Sequence, residues 1–141
     1  MRIMAAMLKR AEVEFYVHAT EDIERIKRGI FENLKIRGEV AMSTLRGHYG
    51  NPIIDIRMYL KGDEASKLFL LIMNKLEDED KATLLWNLNS YIDDRGRFFL
   101  RLDKQDLMRG VIRMGKKDAI KLKFEMGGDR GRVLEYIKRW L

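Results

Sequence analysis

Residues 40–60, VAMSTLRGHYGNPIIDIRMYL, decide how this chain is folded. On the left, Val40, Met42 and Thr44 share one phase of a two-residue alternation. On the right, Ile54, Ile56, Met58 and Leu60 alternate with Asp55, Arg57 and Tyr59. Successive side chains of a strand point to opposite faces, so both halves read as strands with one face to bury. Between them, Gly47-His48-Tyr49-Gly50-Asn51-Pro52 gathers two glycines, an asparagine and the chain's one proline. Glycine supplies φ > 0 and Asn-Pro fixes the approach to the next strand, so the cluster reads first as the turn of an antiparallel hairpin. Arg46, His48, Tyr49 and Asn51 at its tip read second as ligand contacts, since loop tips on a rigid scaffold often carry function. A catalytic role for His48 ranks last.

Outward from the hairpin the same patterns continue. Glu12 to His18 alternates, with Val13, Phe15 and Val17 on one face. Thr20 is expected as the N-cap of a helix with Glu21 and Asp22 in its first turn, followed by Ile23, Ile26, Ile30, Phe31 and Leu34 at helical spacing. After Gly62-Asp63, residues Ala65, Leu68, Phe69, Ile72, Met73 and Leu76 mark a second helix. The acidic run at 77–80 breaks or caps it, and Leu84, Leu85, Leu88, Tyr91 and Ile92 suggest a third. Phe98, Leu100 and Leu102 alternate with Phe99 and Arg101, then a short helix is expected at 104–109 and a small β segment after Gly110. Ile120, Leu122 and Phe124 alternate with Lys121 and Lys123, and Gly127-Gly128 precedes a closing helix. The order β-α-β-β-α-α-β-(α)-β-α predicts one α+β domain, an antiparallel-rich sheet covered by helices on one face. The expected divisions are an N-terminal extension at 1–10, the α+β domain at 11–126 and a C-terminal helix at 127–141.

Composition narrows the function classes. The chain has 141 residues, enough for one domain with a sizeable core, and no cysteine. Disulfides, thiolate metal sites and cysteine nucleophiles are therefore excluded, in keeping with a cytoplasmic setting. No apolar run reaches the roughly 18 residues of a membrane span, and MRIMAAMLKR lacks the pattern of a signal peptide. Two histidines at unrelated places offer no metal-ligand spacing, so no metal or cofactor is expected. EDED reads as a solvated helix cap. Gly47-x-x-Gly50 lacks the Lys-Ser/Thr of a phosphate-binding loop, and no serine has a nucleophile-elbow context. The chain reads as a non-enzyme.

Charge points elsewhere. Residues 1–94 hold 14 Lys+Arg against 16 Asp+Glu, whereas residues 95–141 hold 14 against 6. A surplus confined to one third of a chain is the electrostatic footprint of an anionic partner. The Gly-x-x-Gly loop of KH domains joins two helices, and here strands flank it, so that module is excluded. On the strand RFFLRL, Phe98 shares its phase with core residues, while Phe99 alternates with Arg97 and Arg101. An outward aromatic between arginines suits base stacking with phosphate contact, though burial under a helix or subunit accounts for it equally. If the last two strands are neighbours, Arg97, Arg101, Lys121 and Lys123 form a basic stripe. Lys104, Arg109, Lys116 and Lys117 join them as candidate phosphate contacts. RNA is the expected partner. The alternative is a protein–protein assembly module, a homodimeric scaffold whose charge is incidental.

The segments FYVHATED, LRGHYGNPI, GRFFLRLDKQDLMRG and DAIKLKFEM, in this order across about residues 11–126, resemble archaeal predicted exosome subunits or RNA-binding proteins. That broad grouping also takes in the UPF0201 proteins. The resemblance implies an α+β fold like that of a large-subunit ribosomal protein that holds ribosomal RNA. It further implies pairing into homodimers, exosome- or ribosome-related partners, and an RNA-related role in the cytoplasm. Family-typical residues would be His18, Gly47, His48, Gly50, Asn51, Pro52, Asp103, Lys104 and Gln105. No catalytic residue comes with it.

Overall fold

The computed structural model describes residues 8–47 and 49–141. Five strands, β1 (Leu8–His18), β2 (Ala41–Arg46), β3 (Pro52–Lys61), β4 (Arg97–Asp103) and β5 (Ala119–Met126), form one antiparallel sheet in the order β2-β3-β1-β5-β4. The helices are α1 (Ile23–Leu34), α2 (Gly62–Lys75), α3 (Asp78–Trp86), α4 (Lys104–Met108) and α5 (Arg130–Lys138), with a single 3-10 turn at Leu88–Tyr91. None is long and apolar enough to cross a membrane. Element order and fold class are those the alternation predicts.

One sheet face is apolar throughout its central strands. Val13, Phe15 and Val17 of β1, Ile56, Met58 and Leu60 of β3, Phe98, Leu100 and Leu102 of β4, and Ile120, Leu122 and Phe124 of β5 are all buried. The helices lie on this face because each brings its own apolar stripe: Ile26, Ile30 and Leu34 from α1, Leu68, Phe69, Ile72 and Met73 from α2. Phe69 centres an aromatic cluster, its ring 5.4 Å from Phe124 and 5.6 Å from Tyr136 of α5. With Val133 and Ile137 also buried, the C-terminal helix is part of the same core. Among the described residues, the other face of the sheet carries no helix.

Several boundaries differ from expectation. β1 begins at Leu8, so three residues assigned to the N-terminal extension belong to the first strand; residues 1–7 lie outside the described ones. The cap of α1 is Asp22, whose carboxylate accepts from the amides of Glu24 and Arg25. Thr20 is displaced from that role because Glu21 is turned back to accept from the amide of His18 at 2.9 Å. The acidic run does open α3, with Asp78, Glu79 and Asp80 in its first turn, where the helix dipole favours them. The apolar spacing beyond it does not continue as helix: α3 ends at Trp86, and Ile92 bridges to Phe98 of β4. β2 is exposed along its whole length, so of the apolar face expected from Val40, Met42 and Thr44 only Val40, just ahead of the strand, packs against the core. It is the outermost strand, beyond the reach of the helix layer.

Candidate nucleic-acid interface

The register aligns the open-face residues in rows across the sheet. Arg101, Lys121, Glu14 and Arg57 lie side by side on β4, β5, β1 and β3; Phe99, Lys123, Glu12 and Tyr59 form the next row. The stripe expected from Arg97, Arg101, Lys121 and Lys123 is therefore assembled, with Phe99 inside it and 40% exposed. It is not uniformly free. Lys123 is 2.9 Å from Glu12, and Arg97 is 2.7 Å from Asp93 with its guanidinium 5.8 Å from the Phe99 ring. Lys121 stands over Tyr16, 5.0 Å from the ring centroid. Among the described residues, Arg101, Lys116 and Lys117 are exposed and form no ion pair.

Acids on β1 and β3 account for this partial neutralisation. Arg57 serves three carboxylates, Glu14 at 2.8 Å, Asp55 at 3.2 Å and Glu12 at 3.5 Å. Glu14 first of all holds the guanidinium proton more firmly than usual. The Glu14 carboxyl is itself pushed above its ordinary value, by burial first and then by the neighbouring Asp55, which outweigh the pull of Arg57 and Lys121. Arg57 and Lys123 are thus both held by acids of the sheet face, Lys123 by Glu12 and Arg57 by all three. At the start of β4, burial alone would raise the Asp93 carboxyl, but hydrogen bonds from the Arg97 amide and guanidinium and the Arg95 amide hold it below the usual range.

Lys104 is not a surface cation, which corrects its reading as a phosphate contact. Its side chain is 0% exposed, and its ammonium donates to the Tyr16 carbonyl and Glu21 Oε1, both at 2.9 Å, and lies 3.0 Å from Asp118 Oδ2. His18 Nε2 is 3.2 Å from the other Asp118 oxygen. His18, Glu21 and Asp118 come close enough to ligate a cation, but the lysine ammonium already bridges the two carboxylates. Asp118 adopts a left-handed backbone (φ 43°) to reach this position. Arg109, at the end of α4, is paired with Asp106, and α4 packs beside α1 in the helix layer, so it stands apart from the sheet-face cations.

The hairpin tip forms a separate group. The Gly47 amide donates to the Asn51 carbonyl at 2.7 Å and the Gly50 amide to the Gly47 carbonyl at 2.9 Å. Gly50 takes φ +80°, the left-handed conformation expected of this turn, whereas Gly47 does not. Arg46 Nη1 donates to the Gly50 carbonyl at 3.1 Å. Tyr49 is 88% exposed and Asn51 is exposed; His48 lies outside the described residues. Antiparallel pairing of His18 with Ile53 sets this tip at the same end of the sheet as the end of β1 and the Lys116-Lys117 loop leading into β5. A cleft of about 230 Å³ separates the tip from His18 and Thr20, so the FYVHATED and LRGHYGNPI segments meet in space.

Residues that the sequence reading missed are Glu14, Asp55 and Asp118. Gly115 was missed too: its main chain runs against β4, its amide donating to the Arg101 carbonyl at 3.0 Å. A signal for Lys104 was present: Phe98, Leu100 and Leu102 place position 104 in the inward phase.

Comparison with known proteins bears on family and fold. A family model described as RNA binding matches residues 10–126. An uncharacterised protein of Methanocaldococcus jannaschii is 32% identical over 121 residues, covering 81% of this chain and 80% of that one. An RNA-binding protein of Pyrococcus abyssi is 23% identical over 139 residues, covering 92% and 90%. Among solved structures, a DUF54 protein of Methanothermobacter thermautotrophicus superposes with a TM-score of 0.76 at 25% identity, over 96% of this chain and 98% of its own. A UPF0201 protein of Methanococcus jannaschii shares the fold, with a TM-score of 0.59 at 14% identity over 92% of each chain. By sequence over most of its length and by fold over nearly all of it, the chain belongs to the RNA-binding family.

Proposed function

We propose that the protein is a non-catalytic RNA-binding protein that holds phosphates through the β4–β5 side of its open sheet face and the loop ahead of β5. The hairpin tip, with Arg46, Tyr49 and Asn51, supplies a second contact at the same end of the sheet. The observation that carries this reading is that Arg101 and Lys116 stand exposed and without an acidic partner around the cleft that an exposed Phe99 lines, with Lys117, equally exposed and unpaired, next to Lys116 in the loop. A cation without an acidic partner engages a phosphate with no ion pair to break, and such contacts give affinity without sequence preference. Fluorescence anisotropy with labelled RNA tests it. Changing Arg101, Lys116 and Lys117 together to Glu is expected to abolish binding, while Arg28→Glu on α1 leaves it intact. Equal binding by all three proteins overturns the reading.

A second reading has its own support in β2, an outermost strand exposed on both faces with Met42 at 51% and Leu45 at 40% exposure. Apolar side chains on an open edge invite strand pairing, and the partner proposed is a second copy of the chain, giving a homodimer. Light scattering that reports a dimer, converted to monomer by Met42→Lys with Leu45→Glu, supports it; a monomer at all concentrations contradicts it. The setting we propose for both is RNA processing or degradation in the cytoplasm, with exosome- or ribosome-related proteins as partners. Under the RNA-binding reading, partners recovered from cell extract should be lost on ribonuclease treatment; under the assembly reading they should survive it.

A further inference from the structure

Along the outer edge of β4 runs a cleft of about 460 Å³, walled on one side by Phe99 and Arg101 and on the other by α3 and the 3-10 turn. That size lies within the range of small-ligand sites. Three observations give it chemistry. Phe99 keeps 40% of its surface in solvent, although Phe98 and Leu100 beside it are buried, and Tyr91 lies across the cleft from the same strand. Arg101 and Lys116 line the cleft and have no acidic partner among the described residues. The far wall is made of acceptors. The Thr83 and Ser90 hydroxyls already donate to the Glu79 and Asn87 carbonyls, at 3.1 and 2.7 Å, which leaves their oxygens free to accept. Asp80 uses one carboxylate oxygen for the Met114 amide, at 2.9 Å, and has the other to spare.

An aromatic face, cations at the mouth and acceptors opposite match the parts of a nucleotide: a base to stack, phosphates to hold, an exocyclic amino group to receive. We propose that this cleft takes one unpaired nucleotide of RNA, its base against Phe99, the adjoining phosphates on Arg101 and Lys116, and its amino group toward Asp80, Thr83 and Ser90. The inference rests on the RNA-binding reading and adds that RNA is held here in single-stranded form. In a duplex each base face is covered by its neighbours, so only a bulged, looped or terminal nucleotide offers a free one.

The test uses the full chain and two RNA hairpins of identical stem, one fully paired and one with a single bulged adenosine. Alanine substitution of a stacking aromatic removes roughly 5- to 150-fold in affinity per base. The intact protein should therefore prefer the bulged hairpin by roughly tenfold or more. Phe99→Ala should erase that preference, bringing affinity for the bulged hairpin down to that for the paired one, and Phe99→Tyr should retain it. Because Phe99 is partly exposed, its truncation leaves the core intact. Thr83→Trp, which fills the cleft from α3, should abolish the preference with the phenylalanine in place. Equal affinity for the two hairpins, untouched by Phe99→Ala, overturns the nucleotide pocket while the RNA-binding reading stands. Binding of neither hairpin removes both. Free adenosine monophosphate binding as tightly as the bulged hairpin assigns the cleft to a mononucleotide and overturns the RNA proposal.

Discussion

At the scale of single residues, Lys104 shows how a charge can be legible and still be misplaced. Counted with the basic third of the chain it reads as a phosphate contact; counted in phase with Phe98, Leu100 and Leu102 it points inward, and there it is found, paired with Glu21 and Asp118. Its acidic partners are 83 and 14 positions away, and no local pattern announces them. Removing one member of a buried ion pair costs about 3–5 kcal/mol, and the partial exposure of both carboxylates puts this case at the low end. Lys104→Met is therefore expected to lose about 3 kcal/mol in urea unfolding, and a loss below about 1 kcal/mol contradicts the structural role assigned to it. Glu14 gives a prediction of opposite sign. Its carboxyl is raised from 4.5 by burial and then by Asp55, so the folded state binds that proton more tightly than the unfolded chain. The group's contribution to stability is thus fullest below pH 4.5 and is lost as the pH rises through the raised value. Glu14→Gln should make the protein at least as stable as the parent at pH 7 and shrink the difference toward pH 4. Unfolding curves across that range check it, and a variant markedly less stable at pH 7 contradicts it.

At the scale of elements, alternation reports which residues share a face but not whether anything covers that face. For β1, β3, β4 and β5 the two coincide because α1 and α2 bring matching apolar stripes. For β2 they do not, since the strand lies beyond the helix layer. The same limit applies to α3, where leucines at helical spacing run past Trp86 although the chain has already turned at Asn87. Gly115 shows an element edge set by one residue. A Cβ there would lie 2.8 Å from the Asp103 Cα and 3.0 Å from its amide nitrogen, both main-chain atoms of β4. Gly115→Ala must push the loop off the strand, at a cost of about 1–3 kcal/mol from overpacking. It should also weaken RNA binding, because the Arg101 carbonyl and Lys116 are tied to that contact. Thermal unfolding alongside anisotropy tests both effects, and a fully neutral variant contradicts the packing argument.

At the scale of the whole molecule, the surplus of cations in residues 95–141 was visible in the sequence, and the sheet order gathers much of it onto β4, β5 and the loop between them. What the sequence did not show was how much of it would be taken up at home. Glu12 claims Lys123, Asp93 claims Arg97, and Arg57 is shared among the acids of β1 and β3, so between Arg97 and Lys123 the exposed cations left without an acidic partner are Arg101, Lys116 and Lys117, the first two in the cleft that Phe99 lines. Each phosphate neutralised on a single strand contributes a slope of about −0.7 to the dependence of log affinity on log salt. The most direct test of the account is a salt titration of RNA affinity for the parent chain and for the variant with all three cations changed to Ala. The account predicts a steep dependence for the parent and a slope shallower by about 2 for the variant. An identical slope for the two proteins, or parent binding that ignores salt, contradicts it.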